Sequence, residues 1–230
     1  MSAASVDLAT PLAELLSERW GEPVDVGDAR IVTAGARRLN AVFTASIGGE
    51  DRRLVLTLLP EGEELLNDLS AEAATILAAE DAGVRVAHVE LASDDGLLLG
   101  GPFMISSFVP GETVPRRVLR LVAERGHGDR VVEQLGASLA RLHSIPVDAA
   151  PSGLRRVEVT DPIEAALLHL REKLDELPVP RPVLELGLRW LHRRRLDPPA
   201  RTTIGHGDAR TGNIVVDDQG LAAILDWEVA

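Results

Sequence analysis

The hydrophobic pattern of the chain changes near Pro110-Gly111, from short apolar runs typical of strands to longer runs with helical spacing. Before this point, Gly and Pro residues separate the strand-like segments, and an Ala-, Leu- and Glu-rich helical stretch is inserted among them. After it the chain is mainly helical until a terminal hairpin. The order predicts an α+β fold with two lobes and a cleft between them: a strand-rich lobe over residues 1–109 and a helical lobe over residues 110–230.

The same pattern predicts the bounds of the individual elements. A Gly-Gly pair at 48–49 is typical of a hairpin turn between two of the strands. The predicted strands are 28–32, 40–47, 54–59, 84–91 and 103–109, and the predicted helices are 8–20, 65–82, 118–124, 130–143, 162–177 and 183–195.

The composition is that of a soluble globular protein, with 45% apolar and 26% charged residues in a chain of 230. Cysteine is absent, which excludes a disulfide framework and a thiolate zinc site. The first residues lack the order of a signal peptide, and no apolar run approaches the length of a membrane span. We therefore expect a cytoplasmic protein that does not contact a membrane.

The net charge of −12 argues against nucleic acid or anionic lipid as a partner. It mildly favours a neutral or cationic small molecule, although an acidic, well-solvated surface is a sufficient explanation by itself. The sequence does not indicate an oligomeric state.

The strongest motif lies near the end of the chain, where His206-Gly207-Asp208 is followed by Asn213 and then by a predicted hairpin. The hairpin consists of the apolar runs 214–216 and 221–225, joined by Asp-Asp-Gln-Gly, and it is followed by Asp226.

The register of this hairpin decides whether the polar residues can meet. If Val216 faces Leu221 across the turn, Asn213 faces Ile224, and Asp226 lies two residues beyond at the same open end. Diagonal neighbours in an antiparallel pair are about 7–8 Å apart, within reach of one shared cation.

Oxygen ligands of this kind are the ones that Mg²⁺ prefers, and it keeps waters and substrate phosphates as further ligands. Asn213 follows Asp208 at the interval found in the protein-kinase catalytic loop H-R-D-x-x-x-x-N. There the Asp accepts the proton of the substrate hydroxyl, and the Asn and a later Asp bind metal. The motif therefore predicts phosphoryl transfer with Asp208 as base and with Asn213 and Asp226 as magnesium ligands.

Two other interpretations of the motif exist. It can be a surface loop and hairpin with ordinary turn carboxylates. It can also be a metal-dependent hydrolase site built on His206, Asp208 and Asp226, although it lacks the several histidines usual in such sites.

The segments 206–213 and 224–228, with their HGD…GN and LDWE signatures, resemble those of the aminoglycoside phosphotransferase family, in its broad "phosphotransferase enzyme" branch. The resemblance implies a protein-kinase-like fold and transfer of a phosphoryl group from ATP or GTP to the hydroxyl of a small molecule. It assigns the catalytic base to Asp208, magnesium to Asn213 and Asp226, and a structural role to His206.

The resemblance also places nucleotide-binding devices in the first lobe. It puts the nucleotide-contacting hinge near Ser107, Phe108 and Val109, where backbone groups act. A glycine-containing loop over the phosphates would include Gly35, which is alone where the family has a glycine pair and which also suits a simple turn.

Two arginines follow in that loop. Arg37 and Arg38 have the donors to bind phosphates, and they are equally well explained as solvated loop charges.

The third strand departs from the family pattern. Thr57 stands where the family has Lys or Arg, and Glu72 on the following helix would be the partner of that cation. Arg53 is on the same strand face but about 13 Å away. Loss of one preorganised donor can cost about 2.7–4 kcal/mol of transition-state stabilisation. A second hypothesis is therefore a kinase-like module that binds a nucleotide or metabolite without transferring phosphate.

The chain ends at Ala230, shortly after the motif, whereas resembling proteins continue with further helices that shape the substrate site. We expect it to be a fragment or a truncated product, with an incomplete second lobe. The acceptor is not identified by the sequence.

Overall fold

The structure is a computed structural model that describes residues 8–27, 29–34, 38–60, 68–154, 156, 161–195, 197 and 201–230. The helices are α1 (Ala9–Trp20), α2 (Leu69–Asp81), α3 (Pro115–Arg125), α4 (Gly128–Ser144), α5 (Pro162–Asp175) and α6 (Pro182–Arg193). The strands are β1 (Val24–Val26), β2 (Arg30–Ala34), β3 (Leu39–Ile47), β4 (Glu50–Leu58), β5 (Val89–Ser93), β6 (Phe103–Ser107), β7 (Ile214–Asp217) and β8 (Gly220–Ile224).

The predicted α+β order is confirmed, with shifted element ends. The short strand β1 was not predicted, and the strand expected from residue 84 begins only at Val89. The delay has a local cause, because the residues after α2 still cap that helix. The Gly83 N–H donates to the Glu80 carbonyl at 2.8 Å, and the Val84 N–H donates to the Ala79 carbonyl at 2.9 Å.

The larger sheet is antiparallel and has the order β1-β3-β4-β6-β5, with β2 also paired to β3. Its centre is the β3–β4 hairpin, in which Ile47 pairs with Glu50 across the predicted turn. Gly48 and Gly49 in that turn have φ angles of 57° and 86°. Two consecutive positive φ angles suit glycine and match the twist of the paired strands.

The two faces of this sheet pack against different helices. Phe43, Leu56 and Ile105 share a buried cluster with Leu12 and Leu16 of α1. On the opposite face, Met104 belongs to a second cluster with Ala73 and Ile76 of α2. Successive side chains of a strand point to opposite faces, so Thr57, next to Leu56, lies on the α2 face. This face also adjoins the terminal hairpin.

The β7–β8 hairpin is attached to the first part of the chain by backbone hydrogen bonds. Glu112 and Val216 exchange a pair of bonds, at 2.8 and 3.0 Å, and the Ile224 N–H donates to the Arg85 carbonyl at 2.8 Å. Side chains of the hairpin, including Leu221 and Trp227, share the core cluster that contains α2 residues. The hairpin therefore has a fixed position relative to the sheet.

Residues 155–202 form a compact unit of their own, distinct from 1–154 and 203–230. In this unit α5 begins at Pro162 after an Asp161 cap, whose carboxylate accepts from the N–H groups of Ile163 and Glu164 at 3.1 and 3.0 Å. The helices α5 and α6 contact each other, and several apolar side chains of α6, such as Trp190, are exposed. Within the described parts of the chain, no helix combines the length and hydrophobicity of a membrane span.

Candidate active site

The imidazole of His206 connects the loop of the sequence motif to the end of the terminal hairpin. Its Nε2 lies 3.0 Å from the Leu225 carbonyl oxygen, and its Nδ1 accepts from the Asp208 N–H at 3.3 Å. This pattern assigns the proton to Nε2. The ring also packs edge-to-face against Trp227, with 4.7 Å between centroids.

This environment keeps His206 neutral. Burial lowers the pKa of its imidazole below the ordinary 6.5, although the Leu225 carbonyl and the charges of Asp226 and Asp208 oppose that effect. Because both ring nitrogens are engaged within the chain, the ring has no lone pair left for a metal. The hydrolase hypothesis that used His206 as a ligand is therefore wrong for this structure.

Gly207 is required by the backbone between the histidine and the aspartate. Its φ of +79° lies in the region that L side chains rarely adopt. A Cβ at this position would collide with the Val229 carbonyl oxygen and lie 2.8 Å from Val229 Cγ2. The loop can therefore pack against the segment after the hairpin only if residue 207 has no side chain.

The carboxylate of Asp208 is held by two donors. Asn213 Nδ2 donates to Oδ2 at 2.8 Å, and Arg210 Nε donates to the same oxygen at 2.9 Å. The hydrogen bond from Arg210 lowers the pKa of the exposed Asp208 carboxyl, so this group is ionised at neutral pH. Both donors bind Oδ2, which leaves Oδ1 as the oxygen that a substrate hydroxyl can approach.

The terminal hairpin contains a bulge that changes its register. Val216 pairs with Leu221 as predicted, but Val215 pairs with Ala223 and Ile214 pairs with Ile224. The expectation that Asn213 faces Ile224 is therefore wrong by one residue, because β8 carries one extra residue, Ala222, that β7 does not match. The shift brings Asn213 one position closer to Asp226.

Backbone geometry then places Asp226 beside Asn213. The Leu225 N–H donates to the Asn213 carbonyl at 2.8 Å, and Asp226 is the next residue. Asp226 is exposed and has a φ of 63°, the only positive value at a non-glycine residue in the described chain. Aspartate tolerates this conformation better than most residues, and backbone strain of this kind clusters at functional sites.

The donor set at this edge suits a hard divalent cation. Asn213 uses its Nδ2 on Asp208, so its carbonyl Oδ1 is the atom it can offer to a metal, and Asp226 offers a carboxylate. The described residues include no cluster of three or more His, Cys, Asp or Glu side chains that could hold a metal. A cation bound here would need waters or substrate oxygens as further ligands, which is usual for Mg²⁺.

A buried ion pair lies on the α2 face of the sheet. Arg38 donates from Nη1 and Nη2 to the two oxygens of Glu72, at 3.0 and 2.8 Å. Thr57 is neutral and cannot form an ion pair with Glu72. Its hydroxyl donates to Asn40 Oδ1 at 2.8 Å. Arg38 Nε also lies 3.4 Å from Glu228 Oε2, so the pair adjoins the segment that follows Asp226.

Two other predicted nucleotide contacts, Gly35 and Arg37, lie outside the described residues. At the predicted hinge, the Ser107 N–H donates to His88 and the Phe108 N–H to Arg53, at 2.8 and 3.0 Å. These two amides are used within the sheet. Among the three backbone N–H groups of the predicted hinge, that of Val109 is therefore the one left for a nucleotide base, beside the carbonyl groups of this segment.

From the sequence, Arg38 was a candidate for phosphate binding and Glu72 was the partner of a cation expected at position 57. An ion pair between Arg38 and Glu72 was not predicted. Their pairing, and the approach of Glu228, were missed. One signal could have predicted the pair, because the neutral Thr57 left Glu72 in need of another cation. Arg38 is two residues from Asn40 and so on the same face of the sheet, and Asn40 pairs with Thr57.

The family model described as "Phosphotransferase enzyme family" matches residues 31–230. The match covers most of the chain, including strands β3 to β8, the Arg38–Glu72 pair and the whole terminal motif. The chain therefore belongs to the phosphotransferase enzyme family.

Solved structures share the fold. One is a protein from Ralstonia eutropha JMP134, provisionally named an aminoglycoside phosphotransferase, with a TM-score of 0.64 and 18% identity over 95% of this chain and 64% of the other. Another is the GDP complex of aminoglycoside 2′-phosphotransferase-IIIa, with a TM-score of 0.64 and 15% identity over 97% of this chain and 73% of the other. The macrolide 2′-phosphotransferase MphH of Brachybacterium faecium has a TM-score of 0.57 and 18% identity, over 96% and 72%. The kinase-like fold predicted from the sequence is confirmed.

Among curated proteins, the mouse "Acyl-CoA dehydrogenase family member 10" is 26% identical over 188 residues. The match covers 78% of this chain but 17% of that protein. The chain thus spans a small part of this relative and 64% of the Ralstonia protein.

Gly207→Ala should lower the free energy of unfolding by about 2–4 kcal/mol, from the left-handed backbone and the collision with Val229. Chemical denaturation measures this loss. Gly136→Ala in α4 is the matched control, because a Cβ there meets nothing within 4 Å. It should stabilise the protein by about 0.5–1 kcal/mol. Equal effects of the two substitutions would contradict the assigned role of Gly207.

Acid should destabilise the fold through His206. The folded pKa is lowered, so the stability from keeping this ring neutral is fully present above about pH 6.5 and is lost as the pH falls towards the folded pKa. Melting temperatures between about pH 7.5 and 5.5 should therefore fall less steeply in His206→Gln than in the wild type. His169→Gln, at an exposed helix position, should keep the wild-type slope. An unchanged slope in His206→Gln would contradict the neutral, buried state.

Proposed function

We propose that this protein is a magnesium-dependent small-molecule kinase that transfers the terminal phosphate of ATP or GTP to a substrate hydroxyl. The observation that carries the proposal is that hydrogen bonds bring Asp208, Asn213 and the backbone at Asp226 together at one end of the terminal hairpin. Asn213 contacts the Asp208 carboxylate at 2.8 Å, and its own carbonyl is bonded to the residue before Asp226. In phosphoryl transfer, positioning and electrostatic stabilisation supply most of the acceleration.

In this proposal Asp208 is the catalytic base. Its ionised Oδ1 would accept the hydrogen bond, and then the proton, of the attacking hydroxyl. Asn213 and Arg210 fix the carboxylate through Oδ2, so that the second oxygen has a defined direction. A magnesium ion held by Asn213 and Asp226 would neutralise negative charge on the phosphates.

The nucleotide and the acceptor class are suggested by related structures. One of them is a GDP and kanamycin complex, and another is a ternary complex of APH(2″)-IIa with streptomycin and ATP. These ligands belong to those proteins, and this chain covers 72% and 71% of their lengths. We propose a nucleoside triphosphate and a small hydroxylated molecule as partners here, without naming the acceptor.

The division into a nucleotide-binding lobe at 1–109 and a second lobe at 110–230 is part of the same proposal, as are the nucleotide contacts near Ser107 and Val109. A cytoplasmic location and the exclusion of nucleic acid as a partner stay predictions from the sequence. The alternative, a module that binds a nucleotide or metabolite without transferring phosphate, was suggested by the neutral Thr57 and the single glycine of the predicted phosphate loop. It is not favoured, because a buried cation, Arg38, lies on the same face of the sheet and pairs with Glu72.

Asp208→Asn should abolish transfer while leaving nucleotide binding nearly intact. The amide keeps the shape of the carboxylate but cannot take a proton, and loss of a general base costs about 10²–10⁴-fold in kcat. Nucleotide consumption by the longest natural form of the protein is measured with a panel of hydroxylated small molecules, including aminoglycosides and macrolides. The dissociation constants of MgATP and MgGTP are measured in parallel.

The matched control is Asp218→Asn in the hairpin turn, where the carboxylate is exposed and pairs with Arg125 at 2.9 Å. It should keep wild-type turnover. Wild-type turnover in Asp208→Asn would overturn the assignment of the base. Failure of the wild type to bind either nucleotide would overturn the proposed function as a whole.

A further inference from the structure

Glu72 is a carboxylate in a place where a carboxylate is costly. It lies in the first turn of α2 and is 2% exposed. Burial raises the pKa of its carboxyl, and Arg38 opposes that rise. An isolated buried charge is strongly destabilising, so a buried glutamate needs a cation and full hydrogen bonding. The cation that pairs with Glu72 is therefore the positive charge available on this face of the sheet, next to the candidate active site.

The cation is Arg38, and it comes from the residue just before β3, whereas the family pattern suggests a cation on β4. Its side chain is 11% exposed, and its two terminal nitrogens meet the two Glu72 oxygens in the fork-to-fork arrangement that binds a carboxylate most tightly. Arg38 precedes β3, whereas the position expected to be cationic, Thr57, is on β4.

The sheet register explains why side chains at positions 38 and 57 can occupy the same region. Asn40 pairs directly with Thr57, and the Thr57 hydroxyl bonds the Asn40 amide oxygen at 2.8 Å. Arg38 lies two residues before Asn40, so it is the diagonal neighbour of Thr57 on the same face, about 7–8 Å away. Arg38 reaches Glu72, and a long side chain at position 57 would start from the same face of the sheet.

Arg38 also faces the candidate active site. Its Nε is buried and has no hydrogen-bond partner among the described residues, although Glu228 Oε2 lies 3.4 Å away. Burial works to lower the pKa of the guanidinium, but its bonds to Glu72 and the charges of Glu228 and Asp226 raise it. The guanidinium therefore stays charged in a field set partly by the proposed metal ligand Asp226.

Arginine is suited to two tasks at once. A guanidinium has five N–H donors, of which two bind Glu72 here, and Nε lies next to Glu228. The second hydrogens of Nη1 and Nη2 remain for a second anion. A triphosphate beside Asp226 would present oxygens to these donors.

We propose that Arg38 is the phosphate-binding cation of the nucleotide site, in place of a residue on β4, and that Glu72 is the positioning residue that holds it. This proposal rests on the proposed kinase function. It accounts for the neutral Thr57, because the positive charge is supplied from the residue just before the neighbouring strand β3. A purely structural ion pair would stabilise the fold equally well but would contribute nothing to phosphate binding.

The test separates these two roles by comparing a nucleotide with its nucleoside. Arg38→Met keeps the length of the side chain and removes the charge. It should raise the dissociation constant of MgATP by about tenfold or more, since hydrogen bonds to charged groups are strong. The dissociation constant of adenosine should stay unchanged. MgGTP and guanosine replace this pair if the wild type prefers guanine.

Restoring the charge from the other strand is the second part of the test. Thr57→Lys in the Arg38→Met background should recover most of the lost MgATP affinity, because the new ammonium starts from the diagonal position. Thr57→Lys alone should gain little, since Glu72 is already paired. If Arg38→Met does not fold, Arg38→Met with Glu72→Gln removes both buried charges and should show the same selective loss of MgATP binding.

Arg125→Met is the matched control, because Arg125 forms a surface ion pair with Asp218 at 2.9 Å and should leave both dissociation constants unchanged. Equal weakening of ATP and adenosine binding by Arg38→Met, or no weakening of either, would overturn the proposal for Arg38. MgATP binding by the wild type would show in that case that the nucleotide site itself is present, so the two failures can be told apart. A double variant no better than Arg38→Met would contradict the shared position of residues 38 and 57. Absence of nucleotide binding in the wild type would instead refute the kinase function itself.

Discussion

The backbone of Leu225 is the junction on which the candidate site depends. Its N–H donates to the Asn213 carbonyl, and its carbonyl lies 3.0 Å from the protonated nitrogen of His206. The backbone of Leu225 thus fixes the loop that carries Asp208. It also fixes Asn213, which is proposed to bind the metal together with Asp226, and the position at which Asp226 leaves the strand. Because His206 is buried and neutral, this connection requires no charge to be buried with it. The geometry of the proposed phosphoryl-transfer site is thus set by hydrogen bonds within the chain, and the carboxylates of Asp208 and Asp226 stay accessible to a substrate.

The second constraint is the Arg38–Glu72 pair, which couples the sheet to the same region. Glu72 comes from α2, Arg38 from the segment before β3, and Glu228 from the segment after Asp226. Removing one member of a buried pair costs about 3–5 kcal/mol, because the other charge is then uncompensated. The position of α2 on the sheet and the position of the hairpin are thereby linked through one guanidinium. In a kinase, such a link would let the fold hold a cation close to the phosphates.

Local chemistry made much of this predictable from the sequence. Apolar periodicity and glycine positions identified the helices, the Gly48-Gly49 turn and the terminal hairpin, because these signals depend on residues close in the chain. The hairpin register was wrong by one residue, since the bulge at Ala222 is decided by packing and not by a distinctive residue type. The pairing of Arg38 with Glu72 was missed for a related reason. It joins residues far apart in sequence, and the family pattern directed attention to Thr57, where the side chain only bonds Asn40.

A crystal structure of the protein with Mg²⁺ and a non-hydrolysable nucleoside triphosphate tests the central claim most directly. The account predicts a metal ion at about 2.0–2.1 Å from Asn213 Oδ1 and from a carboxylate oxygen of Asp226, coordinated also by phosphate oxygens. It also predicts that the Asp208 carboxylate lies on the side of the terminal phosphate from which the acceptor hydroxyl would attack. Phosphates bound elsewhere, or a metal that contacts neither Asn213 nor Asp226, would contradict it.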